Sequence, residues 1–256
     1  ARYGGDTSAV EVRSRGGRLI ILDAGSGIRI LGTEADGVEQ VDVLITHLHM
    51  DHIQGLPFFA PLHDPEIRVD VWGPVSHRQT LQERLNRYLS PPLFPVRVRD
   101  LPNVAFHDVS PGMFEIDSVQ VTADLVCHPG VTLGYRLEEE GKALTYLPDH
   151  EPALGAHDFP HDPEWTSGHD LAEGADVLIH DSQYTDEEYA ERVGWGHSSH
   201  THLLGFAHMT GVKALTTFHH DPAHSDEKLD EIHEWLRERS DGLEIIPGTP
   251  GMIIGL

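Results

Sequence analysis

Cysteine is almost missing from this 256-residue chain: Cys127 stands alone, so neither an internal disulfide nor a thiolate metal cluster can form. Basic residues are scarce as well, 18 Lys and Arg against 42 Asp and Glu, for a formal charge of −24. Such a surface repels a polyanion unless bound cations reverse the field locally, and no basic cluster stands out, so a small substrate is favoured over long nucleic acid. No apolar run approaches the roughly 20 residues that cross a bilayer, and Ala1-Arg2-Tyr3-Gly4-Gly5 has no apolar signal region. A soluble protein of the cytoplasm is therefore expected, with no membrane partner. Nucleotide loops are absent too: Asp23-Ala24-Gly25-Ser26-Gly27 is followed by no GK[ST], and the chain has no GxGxxG. Without a repeat or a Pro/Gly/Ser-rich linker, and with 39% hydrophobic residues, residues 1–256 are expected to form one domain of mixed α/β class.

Histidine, by contrast, is abundant, and its most concentrated stretch is Thr46-His47-Leu48-His49-Met50-Asp51-His52-Ile53-Gln54-Gly55-Leu56-Pro57. It follows Val41-Asp42-Val43-Leu44-Ile45, a short β-branched run that reads as a buried strand. Imidazole nitrogens and carboxylate oxygens suit zinc, manganese or iron. The spacing lets His47 and His49 point one way while Asp51 and His52 turn another, which suggests two metals. A His-rich surface loop does not explain three His and one Asp in six residues at a strand end.

The HxHxDH run followed by Gly55-Leu56-Pro57 resembles the signature of the metallo-β-lactamase superfamily, and its Gly-Leu-Pro extension resembles the phosphodiesterase branch that includes ribonuclease Z. The resemblance implies an αββα sandwich, two mixed β-sheets with helices on the outer faces. It also implies two divalent ions, zinc by default and manganese or iron as alternatives. In it His47, His49 and His128 hold one ion, Asp51, His52 and His219 the other, and Asp149 links them. Asp23, after the strand Arg18–Leu22, resembles the Asp that braces the ligand loops. The superfamily places a strand before Arg2, and this sequence starts without it and without Met, so a trimmed N-terminus stays open.

The rest of the chain supplies the remaining parts in order. Ser8–Arg13 and Arg18–Leu22 predict a hairpin across Gly16-Gly17, Ile67–Trp72 a strand, and Leu81, Leu85 and Leu89 a helix stopped by Pro91-Pro92. Strand patterns recur at 104–106 and 119–122, the second leading into Cys127-His128. Cys127 is expected to be packed rather than reactive. Thr132–Leu137 matches the Gly-Tyr strand that follows the third His ligand, and Ala143–Leu147 delivers Asp149. From His150 to Asp176 there are seven acidic and no basic residues, which reads as an irregular acidic lid whose His157, His161 and His169 are solvated. Asp181, ending the strand pattern 175–181, stands where ribonuclease Z usually has Glu, and Gly196-His197-Ser198-Ser199 resembles that branch's Gly-His-Ser-Thr loop. A helix over 201–209 precedes the strand 214–218, which is followed by His219 and His220. The Pro222 spacing favours His219 as the ligand and leaves His220 open. A helix opens at Ser225 with Leu229, Ile232 and Leu236 as its buried stripe, and 243–256 read as closing strands.

The implied reaction is hydrolysis of a small or cyclic phosphodiester by a metal-bridging hydroxide. Asp51 contributes as ligand and catalytic residue, and His197, oriented by Asp181, protonates the leaving oxygen. The competing readings are a ribonuclease Z-like RNA-processing endonuclease, a lactone, thioester or lactam hydrolase, and a non-enzymatic metal-binding protein. A homodimer stays open.

Overall fold

The structure, a computed structural model, describes residues 2–33, 37–154, 159–160 and 162–256. His157 and His161 lie outside these. The chain divides into two compact units, one of Asp6–Pro111 with Glu115–Val119, the other of Ala1–Gly5, Gly112–Phe114 and Gln120–Leu256. Each is described on its own, as the N-terminal and C-terminal unit.

The N-terminal unit is built on five strands, β1 (Val10–Arg13), β2 (Leu19–Leu22), β3 (Gln40–Leu44), β4 (Arg68–Pro74) and β5 (Val104–Val109), hydrogen-bonded in that order. The hairpin β1–β2 is antiparallel and the remaining pairings are parallel, so the sheet is mixed. Parallel strands are covered on both faces and need apolar residues throughout. Leu19-Ile20-Ile21-Leu22 is accordingly buried at every position. Asp42 interrupts β3, and its charge is met by Arg18 Nε at 2.6 Å and Trp72 Nε1 at 2.9 Å. Short helices α1 (Ile28–Leu31), α2 (Met50–Ile53) and α3 (Leu81–Leu85) join Phe59 and Leu62 over the core. Thr80 and Glu83 form a capping box at the start of α3, whose helical repeat ends at Leu85, short of the expected Leu89.

The C-terminal unit carries a seven-stranded sheet in the order β12-β11-β10-β9-β8-β7-β6. These are β6 (Gly112–Ile116), β7 (Val119–Leu125), β8 (Leu133–Glu139), β9 (Lys142–Leu147), β10 (Val177–Asp181), β11 (Ala214–Phe218) and β12 (Glu244–Pro247). Pairs from β9 to β12 are parallel, while β7–β8 and β8–β9 are antiparallel, so this sheet is mixed as well. Helices α4 (His169–Ala172), α6 (His200–Thr210) and α7 (Asp226–Arg239) pack apolar residues into one cluster with β9, β10 and β11. Leu229, Ile232 and Leu236 are the buried stripe of α7, which Ser225 caps. Helix α5 (Asp186–Ala190) and strand β6 have no counterpart in the sequence reading.

Two expectations need correction. The 150–176 stretch is more than an irregular lid, because Leu171 and Ala172 of α4 enter the core and His169 is only 8% exposed. At the other end only β12 closes the sheet, and residues 248–256 form no further strand.

Among the described residues no helix is long and apolar enough to cross a membrane. Several histidines are instead buried as neutral rings. His233 is hydrogen-bonded to Thr217 Oγ1 (2.8 Å) and Tyr3 Oη (3.0 Å), and His200 to the Ser182 carbonyl (3.3 Å). Burial pushes each down to about 4. An unfolded histidine titrates near 6.5, so below that pH the unfolded chain binds more protons than the folded one. The stabilisation is complete above about pH 6.5 and is lost as pH falls toward 4. The thermal midpoint should therefore drop between pH 7 and pH 5, and His233→Gln should flatten that slope. An unchanged slope in the variant would show that His233 is not a contributor.

Candidate active site

Parallel pairing places the functional residues at strand ends. In the N-terminal unit Leu22 and Leu44 are register partners of the parallel pair β2–β3, so Asp23 and Thr46-His47 emerge side by side beyond the carboxyl ends. Asp23 takes a positive φ of 61° there, with its carboxylate fully buried. Oδ1 accepts from the Thr46 N–H at 2.7 Å, Oδ2 from His52 Nδ1 at 2.8 Å, and the Thr46 hydroxyl lies 3.0 Å from both oxygens. Thr46 Oγ1 in turn lies 3.0 Å from His47 Nδ1. One buried carboxylate therefore fixes two imidazoles, His52 directly and His47 through a hydroxyl, which is the bracing role expected of Asp23. The His47 ring packs against those of His49 and His52, with centroids 4.4 and 4.3 Å away. Gly55 comes next because a Cβ there would collide with the carbonyl oxygen of Gly25.

In the C-terminal unit β7, β9, β10 and β11 all run the same way, so His128, Asp149, Asp181 and His219 follow four carboxyl ends on one edge of one sheet. Asp149 is 1% exposed and addresses two histidines with different oxygens: Oδ2 is 3.7 Å from His128 Nε2, and Oδ1 is 3.4 Å from His219 Nε2. His128 Nδ1 donates to the Gly196 carbonyl at 2.8 Å, and His219 Nδ1 lies 3.2 Å from Gln183 Oε1. His220 turns the other way, its ring 6.0 Å from that of Tyr3 and 5.5 Å from that of His233. Between the two adjacent imidazoles, only His219 faces Asp149.

These donors fit divalent metal. His47, His52, His128 and His219 each commit Nδ1 to a hydroxyl, carboxylate or carbonyl, so the lone pair resides on Nε2, the tautomer a metal ligand needs. Two ligands about 2.1 Å from one tetrahedral ion stand about 3.4 Å apart. The pairs His219–Asp149 (3.4 Å), His128–Asp149 (3.7 Å) and His52–Asp51 (Nε2 to Oδ2, 3.4 Å) all approach that separation, which is too long for a hydrogen bond. With nitrogen and carboxylate oxygen only, the set suits zinc, manganese or iron.

Asp181 does different work. It is fully buried, and its Oδ1 accepts from the N–H groups of Gln183 (3.0 Å) and Ser198 (3.1 Å). Its Oδ2 takes the His150 N–H (3.3 Å) and His197 Nδ1 at 2.6 Å. Burial opposes charge on the His197 ring, but the adjacent carboxylate and its hydrogen bond outweigh that, and the pKa is raised above the ordinary histidine value. Asp181 holds the Nδ1–H, so the second proton of the imidazolium sits on Nε2. The ring stacks on His219, centroids 5.1 Å apart. Beneath Asp181, His150 Nδ1 and His180 Nε2 share a hydrogen bond at 2.8 Å. Burial lowers the pKa of both rings, so this pair is neutral packing. The Cys127 thiol is raised by burial and by nearby Glu151, as a packed cysteine is.

The sequence reading missed Thr46 and Gln183, which orient His47 and His219. Hydroxyls and amides carry no spacing signature for such a role.

The model of the beta-lactamase superfamily domain matches residues 18–220. Ribonuclease Z of Haloarcula marismortui is 22% identical over 96% of this chain and 90% of its own length. Human tRNase Z, short form, superposes with a TM-score of 0.68 at 20% identity, covering 100% of this chain and 95% of that one. A diphosphatase of the PhnP family gives 0.66 at 19%, covering 96% and 82%. The chain belongs to the metallo-β-lactamase superfamily and has the fold of that superfamily. It is a metal-dependent hydrolase.

Replacing Asp23 by Ala should strip His52 and Thr46 of their acceptor. We expect a stability loss of about 3 kcal/mol by denaturant titration and roughly 10- to 100-fold weaker zinc binding by chelator competition. Unchanged zinc affinity would deny Asp23 its bracing role.

Proposed function

We propose that the chain is a dinuclear phosphodiesterase, with residues 1–256 forming one hydrolase domain. His47, His49 and His128 would hold one divalent ion, Asp51, His52 and His219 the other, and Asp149 would be shared, with zinc the default from the donor set. When bound, such ions lower the pKa of a water and polarise phosphoryl oxygens. What the chain itself adds is a proton donor. The observation that carries the phosphodiester reading is His197 with Nδ1 held 2.6 Å from buried Asp181. That leaves Nε2 to deliver a proton to a departing alkoxide, and the paired carboxylate stabilises the imidazolium until it does. Asp181 is in turn fixed by the Ser198 and Gln183 N–H groups, so acid and carboxylate move as one body. A thioester hydrolase with the same ligands has less need of such a group, because a thiolate departs without a proton.

The substrate we favour is a small or cyclic diester, on the strength of the −24 charge. RNA processing is the second reading, favoured by the names of the relatives. One feature of the sequence supports it against the expectation of no basic cluster: residues 78–99 hold Arg78, Arg84, Arg87, Arg97 and Arg99 against Glu83 alone. Arg84 is committed to Asp108 at 3.2 Å; Arg97 and Arg99 are exposed on a cleft with Asn86 and Ser90, with Arg99 Nε 3.7 Å from Asp100 Oδ1.

Protein of known metal content should hydrolyse bis-p-nitrophenyl phosphate or cyclic AMP, and His197→Ala should lower kcat on cyclic AMP by about 100-fold or more, with a much smaller loss on bis-p-nitrophenyl phosphate, whose leaving group needs no proton. No diester turnover by the fully metallated protein would sink this reading in favour of lactones and thioesters. Cleavage of a precursor RNA that weakens steeply between low and physiological salt, without turnover of small diesters, would select the second reading.

A further inference from the structure

Glu151 lies two residues beyond Asp149 and is absent from every ligand set above, yet its carboxylate is completely buried. It has no cation beside it in the hydrogen-bond pattern; three neutral donors converge on it instead. Oε1 accepts from the Tyr189 hydroxyl and the Gly194 N–H, each at 2.8 Å, and Oε2 from the Gly196 N–H at 2.7 Å. Its own N–H donates to the Cys127 carbonyl at 2.9 Å, one residue before His128. Taking an ionised carboxylate out of water is costly unless its lone pairs are used, so the loop 194–196 is drawn tightly around it.

That loop does two jobs. The Gly196 carbonyl receives His128 Nδ1 at 2.8 Å, and the next residue is His197. The peptide gripped by Glu151 and the one that receives His128 are therefore consecutive. Gly196 has φ +89°, and a Cβ at this position would collide with Pro129 and with the His128 ring itself. The loop thus presses on the ring of one proposed ligand while presenting the proposed acid, and Glu151 sets its position from beneath. The same residue anchors the chain just before His128 through its backbone N–H, so both partners of the His128–Gly196 contact are tied to Glu151, Gly196 by its carboxylate and Cys127 by its main chain.

We infer that Glu151 is a positioning residue that sets His128 as a metal ligand and His197 as an acid together; for its effect on the acid, this rests on the phosphodiesterase reading. Deleting the carboxylate charge while keeping the shape, Glu151→Gln, puts an amide N–H₂ against a backbone N–H. The loop must shift, and both histidines shift with it. A simple filler would change stability and nothing else.

The test has three readouts on the full chain. Chelator competition with zinc should show affinity falling roughly 10- to 100-fold in Glu151→Gln. In nitrogen-15 histidine NMR, the His128 Nδ1–H signal should move and exchange faster with water. In turnover, kcat should fall at least tenfold more on diesters with alkyl leaving groups than on p-nitrophenyl diesters, whose leaving group needs no proton. Tyr189→Phe removes one donor from Glu151 and should give the same pattern several-fold weaker, which keeps the test decisive if Glu151→Gln does not fold. A folded Glu151→Gln, or failing that a folded Tyr189→Phe, with wild-type zinc affinity, His128 signal and leaving-group dependence would overturn the inference. If the wild type cleaves no diester, the phosphodiesterase reading falls, and zinc affinity with the His128 signal still decides the role of Glu151 toward the ligand.

Discussion

A carboxylate removed from water must have its lone pairs filled, and the local structure at these strand ends is arranged around that constraint. Asp23, Glu151 and Asp181 are each fully buried. Each collects its donors from a loop that carries a histidine of the proposed site: Thr46 and His52 around Asp23, Gly194 and Gly196 around Glu151, Ser198 and His197 around Asp181. The desolvation cost of the charge is offset only when the loop closes in one way. Loops of Gly, Ser and His, which have little apolar surface to bury, thereby obtain a fixed shape without a hydrophobic core of their own.

The sheets deliver these loops to the right edge. In the N-terminal unit the parallel pair β2–β3 ends at Asp23 and at the ligand run; in the C-terminal unit β7, β9, β10 and β11 end toward His128, Asp149, Asp181 and His219. Strand direction alone thus gathers residues more than 90 positions apart in the chain onto one sheet edge. Tautomer choice then follows from acceptors rather than from the histidines themselves, since a threonine hydroxyl, a carboxylate, a backbone carbonyl and a glutamine amide each take an Nδ1–H. A histidine whose Nδ1 proton is held in this way has one nitrogen for metal and no second option.

Charge connects the site to its surroundings. The chain is strongly acidic, while the chemistry we propose needs cationic character where the phosphoryl group sits. Bound divalent ions and a His197 imidazolium would supply it locally, so the overall field discriminates against polyanions without opposing a small diester. The arginine-rich stretch 78–99 is the part of the chain where that discrimination is weakest, and it is where an RNA substrate would have to gain its affinity.

The His/Asp run 47–52 could be read from the sequence as a candidate metal-binding stretch, because its residues are adjacent and their chemistry needs no partner to be recognised. Strand patterns were legible for the same reason: β2, β3, β10 and β11 are short apolar runs whose burial on both faces shows in composition. His128, Asp149, Asp181 and His197 were legible only through resemblance, since a single His or Asp after a strand has no local signature. The sequence by itself determined the metal-binding character of the run 47–52, the strand and helix periods, and the acidic field. Which of His219 and His220 faces Asp149, that His169 is buried in a helix rather than solvated, and that Glu151 grips the loop before His197 were decided by tertiary structure. Each depends on a direction or a long-range hydrogen bond, and neither can be computed from neighbours along the chain.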